Sequence, residues 1–100
     1  MLVWNSWVEA ERIVRFEANG NRILVLLSDH GEIYSLVGLK HYSDMLHLLG
    51  FYLVDDKHLV NREFVEHFNP HTRILTLRCK TQLQANLKRV ADFLSFMNGK

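Results

Sequence analysis

The chain has 100 residues, 48% of them hydrophobic and 23% charged, with a formal net charge of +1. That is enough apolar material for one compact core without disulfides or metals to hold it, and too little chain for two domains. The longest apolar run, the five residues 23–27, falls far short of the roughly 20 that a membrane span needs, so a soluble protein is expected.

Residues 1–10 show no basic start, apolar h-region or small-residue cleavage site, so no secretory signal is read there. The single cysteine, Cys79, cannot form an internal disulfide and suits a reducing compartment, which makes the cytoplasm the expected location. Charge is unevenly placed: residues 1–67 hold ten acids and six Lys or Arg, whereas residues 68–100 hold one acid, Asp92, and six Lys or Arg. A surface facing a polyanion needs such a basic excess, and a basic edge that only keeps a sheet soluble looks the same.

Leu2, Val3, Trp4, Trp7 and Val8 open the chain with an apolar cluster, expected to dock on its own domain. The pattern then reads as three strands, residues 12–17, 21–28 and 32–36. They are joined by turns at Ala18, Asn19 and Gly20 and at Asp29, His30 and Gly31. In both turns glycine is expected to supply the positive φ of a tight reversal, with Asn or Asp bonding the local backbone, so two antiparallel hairpins follow. The second strand is apolar on both faces and is expected to be the central, sandwiched one.

Leu39, Tyr42, Met45, Leu46 and Leu49 recur at helical spacing and Gly50 follows as a C-terminal stop, predicting one short helix. Short strand-like pieces follow at 51–54, 57–60 and 63–68, then a turn at Asn69, Pro70 and His71. Residues 73–78 alternate Leu75 and Leu77 with Thr76 and Arg78, as in a half-buried strand, and the same alternation places Cys79 in the core. The chain ends on an amphipathic pattern, with Leu87, Val90, Ala91, Leu94 and Met97 on one stripe and Lys88, Arg89, Asp92 and Ser95 opposite. Phe93 and Phe96 flank and widen that stripe. The fold class is therefore mainly β, a β-rich α+β chain of antiparallel strands with one side helix and a C-terminal amphipathic helix.

Three stretches in series resemble the LytTR family. Ile13-Val14-Arg15-Phe16-Glu17-Ala18-Asn19-Gly20-Asn21 is similar to the family's opening strand, acidic residue and small polar turn. Gly38-Leu39-Lys40, Leu46 and Gly50-Phe51 resemble its helix and following strand. His58-Leu59-Val60-Asn61 leading to Phe64-Val65 resembles its most recognisable element, an aromatic or His followed by two aliphatics and Asn. The resemblance implies a single LytTR-like domain over 1–100, with small antiparallel sheets in layers and a helix at the side. Its core would be about 12–93, with an apolar N-terminal extension at 1–10 and a C-terminal helix at 87–98.

It also implies double-stranded DNA binding through loops and strand ends in the major groove, as in the output domains of bacterial response regulators. This chain has no receiver domain, so it would act alone or belong to a longer regulator. Carried over by position, the family's contacts fall on Asn21 and Arg22, on Asp55, Asp56 and Lys57, and on Asn86, Leu87, Lys88 and Arg89, with Asn61 adjoining. The family usually has His and then a basic or amide residue where Asp55 and Asp56 stand, and a Ser with one or two Arg where Asn86, Leu87 and Lys88 stand. Affinity for DNA rests on cations neutralising phosphates, so those departures bear on function more than on fold.

The DNA-binding candidates are thus Asn21, Arg22, Lys57, Asn61, Lys88 and Arg89. For Asn61 the residue type favours a structural role, its side chain fixing a turn. The six histidines suggest no metal site: Asn69 and Pro70 break any helix joining His67 to His71, and His41 and His47 face different directions on their helix. Asp55 and Asp56 are neighbours in an extended segment and cannot act together as acid and base. With no nucleophile motif or phosphate-cradling loop, neither an enzyme nor a cofactor is expected. Membranes and small-molecule substrates are not expected partners. The apolar segments at both ends could bury a second copy, so a homodimer is one candidate assembly. The alternative function is a LytTR-like interaction or dimerisation module that has lost DNA contact.

Overall fold

In the computed structural model, which describes residues 1–3 and 6–98, the chain begins with a small hairpin of Leu2–Val3 (β1) and Ser6–Trp7 (β2). Val3 and Val8 are buried in the main core, while Leu2 and Trp7 face outward, Trp7 at 75% exposure. Half of the N-terminal apolar cluster therefore docks as expected; Trp4 lies outside the described residues.

The meander follows as Ile13–Asn19 (β3), Arg22–Leu27 (β4) and Glu32–Ser35 (β5). The first turn places Gly20 at φ 66 between the paired Asn19 and Arg22, as a two-residue hairpin requires. The second turn differs from the sequence reading. His30, not Gly31, takes the left-handed conformation, at φ 70. Gly31 serves by being small: a Cβ there would stand 2.9 Å from the Asp29 carboxylate, which accepts the Gly31 amide hydrogen bond.

Leu39–Leu46 (α1) starts the side helix, and its last turn tightens into a 3₁₀ turn over His47–Leu49 that Gly50 closes at φ 92. Tyr42 and Leu46 are buried as the stripe predicts, but Met45 and Leu49 are exposed. Met45 lies on α1 itself, beside the face that Tyr42 and Leu46 bury, and the change to 3₁₀ pitch turns Leu49 away from the sheet. Tyr42 fixes the helix on the sheet by a buried 2.6 Å hydrogen bond with Ser35, whose hydroxyl also accepts from the Val37 amide. Its ring stacks on Phe16 at 4.6 Å, and Phe51 meets Phe16 edge-on.

Phe51–Leu53 (β6) and His58–Asn61 (β7) complete a five-stranded antiparallel sheet in the order β5-β4-β3-β7-β6. The central strand is β3, not β4. The sandwiched strands are β3, β6 and β7: Phe16, Phe51 and Leu59 enter the core beneath α1, while Val14 and Val60 enter a second core on the other face. On β4 only Ile23 and Val25 are buried, and Leu24 and Leu26 stay half-buried, because the second layer does not extend over them fully.

That second layer is a three-stranded sheet of Val65–Asn69 (β8), Ile74–Leu77 (β9) and Gln82–Gln84 (β10), in the order β10-β9-β8. Leu75 and Leu77 bury their side chains against Val14, Val60 and Phe93. Cys79, expected in the core, is exposed, because β9 ends at Leu77 and the chain turns through Arg78, Cys79 and Lys80, with Lys80 at φ 74.

The last helix runs through a 3₁₀ turn at Leu87–Arg89 into Val90–Asn98 (α2). Its buried centre is Phe93, with Phe96 and Met97 packed beside it, whereas Leu87 is 72% exposed and Ala91 faces solvent. The stripe is rotated from the expected one, because rings of this size remove more apolar area from water than Ala or a terminal Leu. Mainly β layers with one side helix and a C-terminal amphipathic helix are thus the observed architecture.

Candidate nucleic-acid interface

Three separate segments meet at one end of the five-stranded sheet. The β3–β4 turn carries Asn21 and Arg22, both exposed. The Ala18 amide, just before that turn, donates to the Lys57 carbonyl at 2.8 Å, which brings the β6–β7 loop alongside. The Asn86 amide donates to the Val54 carbonyl at 2.7 Å, which brings the start of the last helix against the other side of the same loop. Asn21, Arg22, Lys57, Lys88 and Arg89 are therefore carried by adjoining segments, although they are far apart in sequence.

Each segment is held by its own local chemistry. Arg22 lies over the Tyr34 ring at 4.6 Å, so the first cation is ordered by an aromatic neighbour on the adjacent strand. In the β6–β7 loop, the Asp55 carboxylate accepts from the Lys57 amide at 2.8 Å and contacts His58 Nδ1 at 3.0 Å. On the other side of the ring, His58 Nε2 is 3.6 Å from Glu17, which accepts from Arg15 at 3.2 Å. Asp55 is 27% exposed and its oxygens are engaged in shaping the loop that presents Lys57. Asp56, by contrast, is exposed.

At the last segment, the Asn86 side chain caps the helix by accepting from the Lys88 amide at 2.9 Å. Lys88 is exposed and Arg89 half-buried. Arg89 shares a cavity of about 290 Å³ with Asp55, Asp56, Lys40 and Asp44, so this end of the molecule holds acids as well as bases. Lys40 pairs with Asp44 at 3.1 Å. Burial is the main cause that holds the neighbouring Tyr52 phenol above its ordinary pKa; Asp92 adds to it, and Arg89 opposes it by charge and hydrogen bonding.

Asn61 stands apart from this set. It is 2% exposed, its amide nitrogen donates to the Ile13 carbonyl at 2.9 Å, and its oxygen accepts from the Glu63 amide at 3.0 Å. Both ends of the side chain are consumed in joining β7 to β3 and capping the 3₁₀ turn at Arg62–Phe64, which corrects its place among the surface candidates. Tyr34 and Lys40 also stand at this end, though neither was a contact candidate in the sequence: a lone aromatic on an edge strand carries no motif, and Lys40 entered only as part of the helix resemblance. Only the pairing of Leu24 with Tyr34 and the packing of α1 bring them to this end.

The exposed Cys79 lies at the opposite end of β3. Partial burial pushes its thiol up, but hydrogen bonds with the Thr81 side chain and backbone and the charge of Arg15 outweigh it, leaving the thiol below its ordinary pKa. Among the described residues no three His, Cys, Asp or Glu side chains are grouped so as to hold a metal ion, and no helix is long and apolar enough to cross a membrane.

Comparison with family models and with curated proteins yields no match. Among solved structures, the chain is similar to a LytTr DNA-binding domain from Bacillus cereus, part of a protein described as a methyl-accepting/DNA response regulator. The two share 14% sequence identity with a TM-score of 0.77, over 93% of this chain and 86% of that one. The resemblance drawn from three sequence stretches thus holds in three dimensions, and the fold of this chain is that of a LytTr-type domain.

Proposed function

We propose that this chain is a single DNA-binding domain of a bacterial transcription regulator, working in the cytoplasm. It contacts double-stranded DNA with the end of the molecule where the β3–β4 turn, the Lys57 loop and the start of the last helix adjoin. The observation that carries the reading is that convergence: Asn21, Arg22, Lys57, Lys88 and Arg89 come from three segments that the backbone hydrogen bonds of Ala18 and Asn86 hold together. The DNA-binding name of the similar structure supports it.

Lys57 and Lys88 meet phosphates, and Asn21 and Arg22 reach base edges in the major groove. Asp55 keeps its charge but is turned into the loop by its hydrogen bonds to Lys57 and His58, so the exposed Asp56 is the acid that most limits affinity. A fluorescent duplex of random sequence, titrated at low salt, is expected to bind and to be released steeply as salt rises, its affinity falling by roughly 0.9 log unit per tenfold rise in salt for each phosphate contact. Selection from a random duplex pool is then expected to enrich one motif. A folded protein that leaves the duplex free at low salt refutes the proposal.

A second reading, a self-associating module, is favoured by the exposure of Leu48 at 94% beside exposed Met45 and Leu49. Sedimentation equilibrium separates the two: this reading requires a dimer whose formation is indifferent to DNA, whereas paired half-sites require one that DNA strengthens.

A further inference from the structure

At the end of β3 remote from the Lys57 loop, the second face of the five-stranded sheet and the β9–β10 turn enclose a groove of about 590 Å³. Its size lies within the range of small-molecule pockets, roughly 300–1,000 Å³. The floor is apolar, made by Val14, Leu26, Leu27 and Phe64. The wall is polar, and Glu32 is the one acid among its described residues, which also include Arg15, Arg78 and His30. The groove is preformed: the Arg78 amide donates to the Phe64 carbonyl at 2.8 Å, tying the β9–β10 turn to the 3₁₀ turn after β7.

Arg15 is the informative residue. Its side chain is only 14% exposed, one terminal nitrogen donates to Glu17, and its Nε is buried with no hydrogen-bond partner among the described residues. The Nε is closed off from the groove, so an anion there meets the terminal nitrogens, and a guanidinium beside an apolar floor is matched by a carboxylate that also carries hydrocarbon. We propose that this groove binds a small organic carboxylate with a short apolar body. Arg15 and Arg78 take its charge, and Val14, Leu26, Leu27 and Phe64 take its chain. The site lies away from the DNA-facing end, so it does not depend on the function proposed above.

Hexanoate is a suitable probe and hexanamide its uncharged control, both followed by amide chemical shifts of the intact protein. Hexanoate is expected to move the Val14, Leu26, Arg78 and Thr81 amides in a saturable, millimolar titration, and hexanamide to move them far less. Arg78 is exposed, so Arg78→Ser keeps the fold, checked by an unchanged melting temperature, and weakens hexanoate binding several-fold. Cys79 lines the same groove, so its alkylation by iodoacetamide slows with hexanoate and not with hexanamide. The absence of saturable shifts, an equal response to the amide, or indifference to Arg78→Ser in folded protein overturns the proposal.

Discussion

The two cores of this domain are built from different distances along the chain. The core beneath α1 draws Phe16, Tyr42, Phe51 and Leu59 from a stretch that ends before β8, in which hairpins and a helix follow one another along the chain and the pairing of β3 with β7 closes the sheet. The core between the sheets joins Val14 to Leu75, Leu77 and Phe93, which no local element brings together. Candidate contacts on Arg22 and Lys57 are placed by the first core, whereas Lys88 and Arg89 depend on the second. The difference teaches that the candidate interface is only as rigid as the junction between a locally assembled unit and a distantly assembled one.

The largest effects should come from the aromatic centres of the two cores. Phe16→Ala and Phe93→Ala are each expected to cost roughly 3–5 kcal/mol, read by denaturant unfolding. Their local signatures should differ. Phe93→Ala exposes amides over 87–97 to hydrogen exchange while β3 and β4 stay protected, and Phe16→Ala lowers protection everywhere. An identical exchange pattern in the two variants would break the distinction between the cores.

Asn61 sharpens the comparison, since it stitches β7 to β3 where the cores share strands. Asn61→Ala should destabilise by about 1–3 kcal/mol, because the Ile13 carbonyl loses its donor in a buried position. DNA affinity should be unaltered at temperatures where the variant is folded. A variant as stable as the parent but impaired in binding would return Asn61 to the contact surface.

Lys57→Glu and Lys88→Glu probe one cation from each side of the junction. Each is expected to weaken duplex binding by about tenfold or more and to lower the salt slope by roughly 0.9. Thermal stability should stay within about 0.5 kcal/mol, because both side chains are exposed. Loss of binding in only one of the two would confine the interface to one unit.

The smallest effect concerns Asp29, whose carboxyl is held below its ordinary value first by the Gly31 amide, against a partial desolvation, and then by Arg12. A depressed folded pKa contributes stability that is present above the unfolded value and lost as pH falls through the folded one, so the pH dependence it causes is confined to acidic solution. Carboxyl titration by NMR should show the depressed midpoint, and Arg12→Gln should relieve it only in part because the Gly31 amide remains. Complete relief would make the ion pair, and not the turn, the dominant cause.

Much of the fold is legible in the sequence because its signals are local. Gly20 between alternating runs declares a hairpin, Gly50 ends a helix, and His58-Leu59-Val60-Asn61 and its neighbours resemble a known family in order and spacing. Several of the errors share a cause. Periodicity tells which residues are apolar, not which layer covers them, so β4 appears central when β3 is, and the last stripe is centred on Leu87 and Leu94 instead of Phe93. Cys79 is misplaced for the same reason, since alternation cannot announce that β9 stops at Leu77.

For the candidate site, the sequence by itself determined which residue types are present and that the C-terminal third is basic. Only the tertiary structure decided their company. It set Lys57 against Ala18 and Val54 against Asn86, turned Asp55 into the support of its loop, and withdrew Asn61 into the junction of the cores. Hydrogen bonds between residues tens of positions apart carry no local signature, because the atoms involved are backbone groups that every residue has.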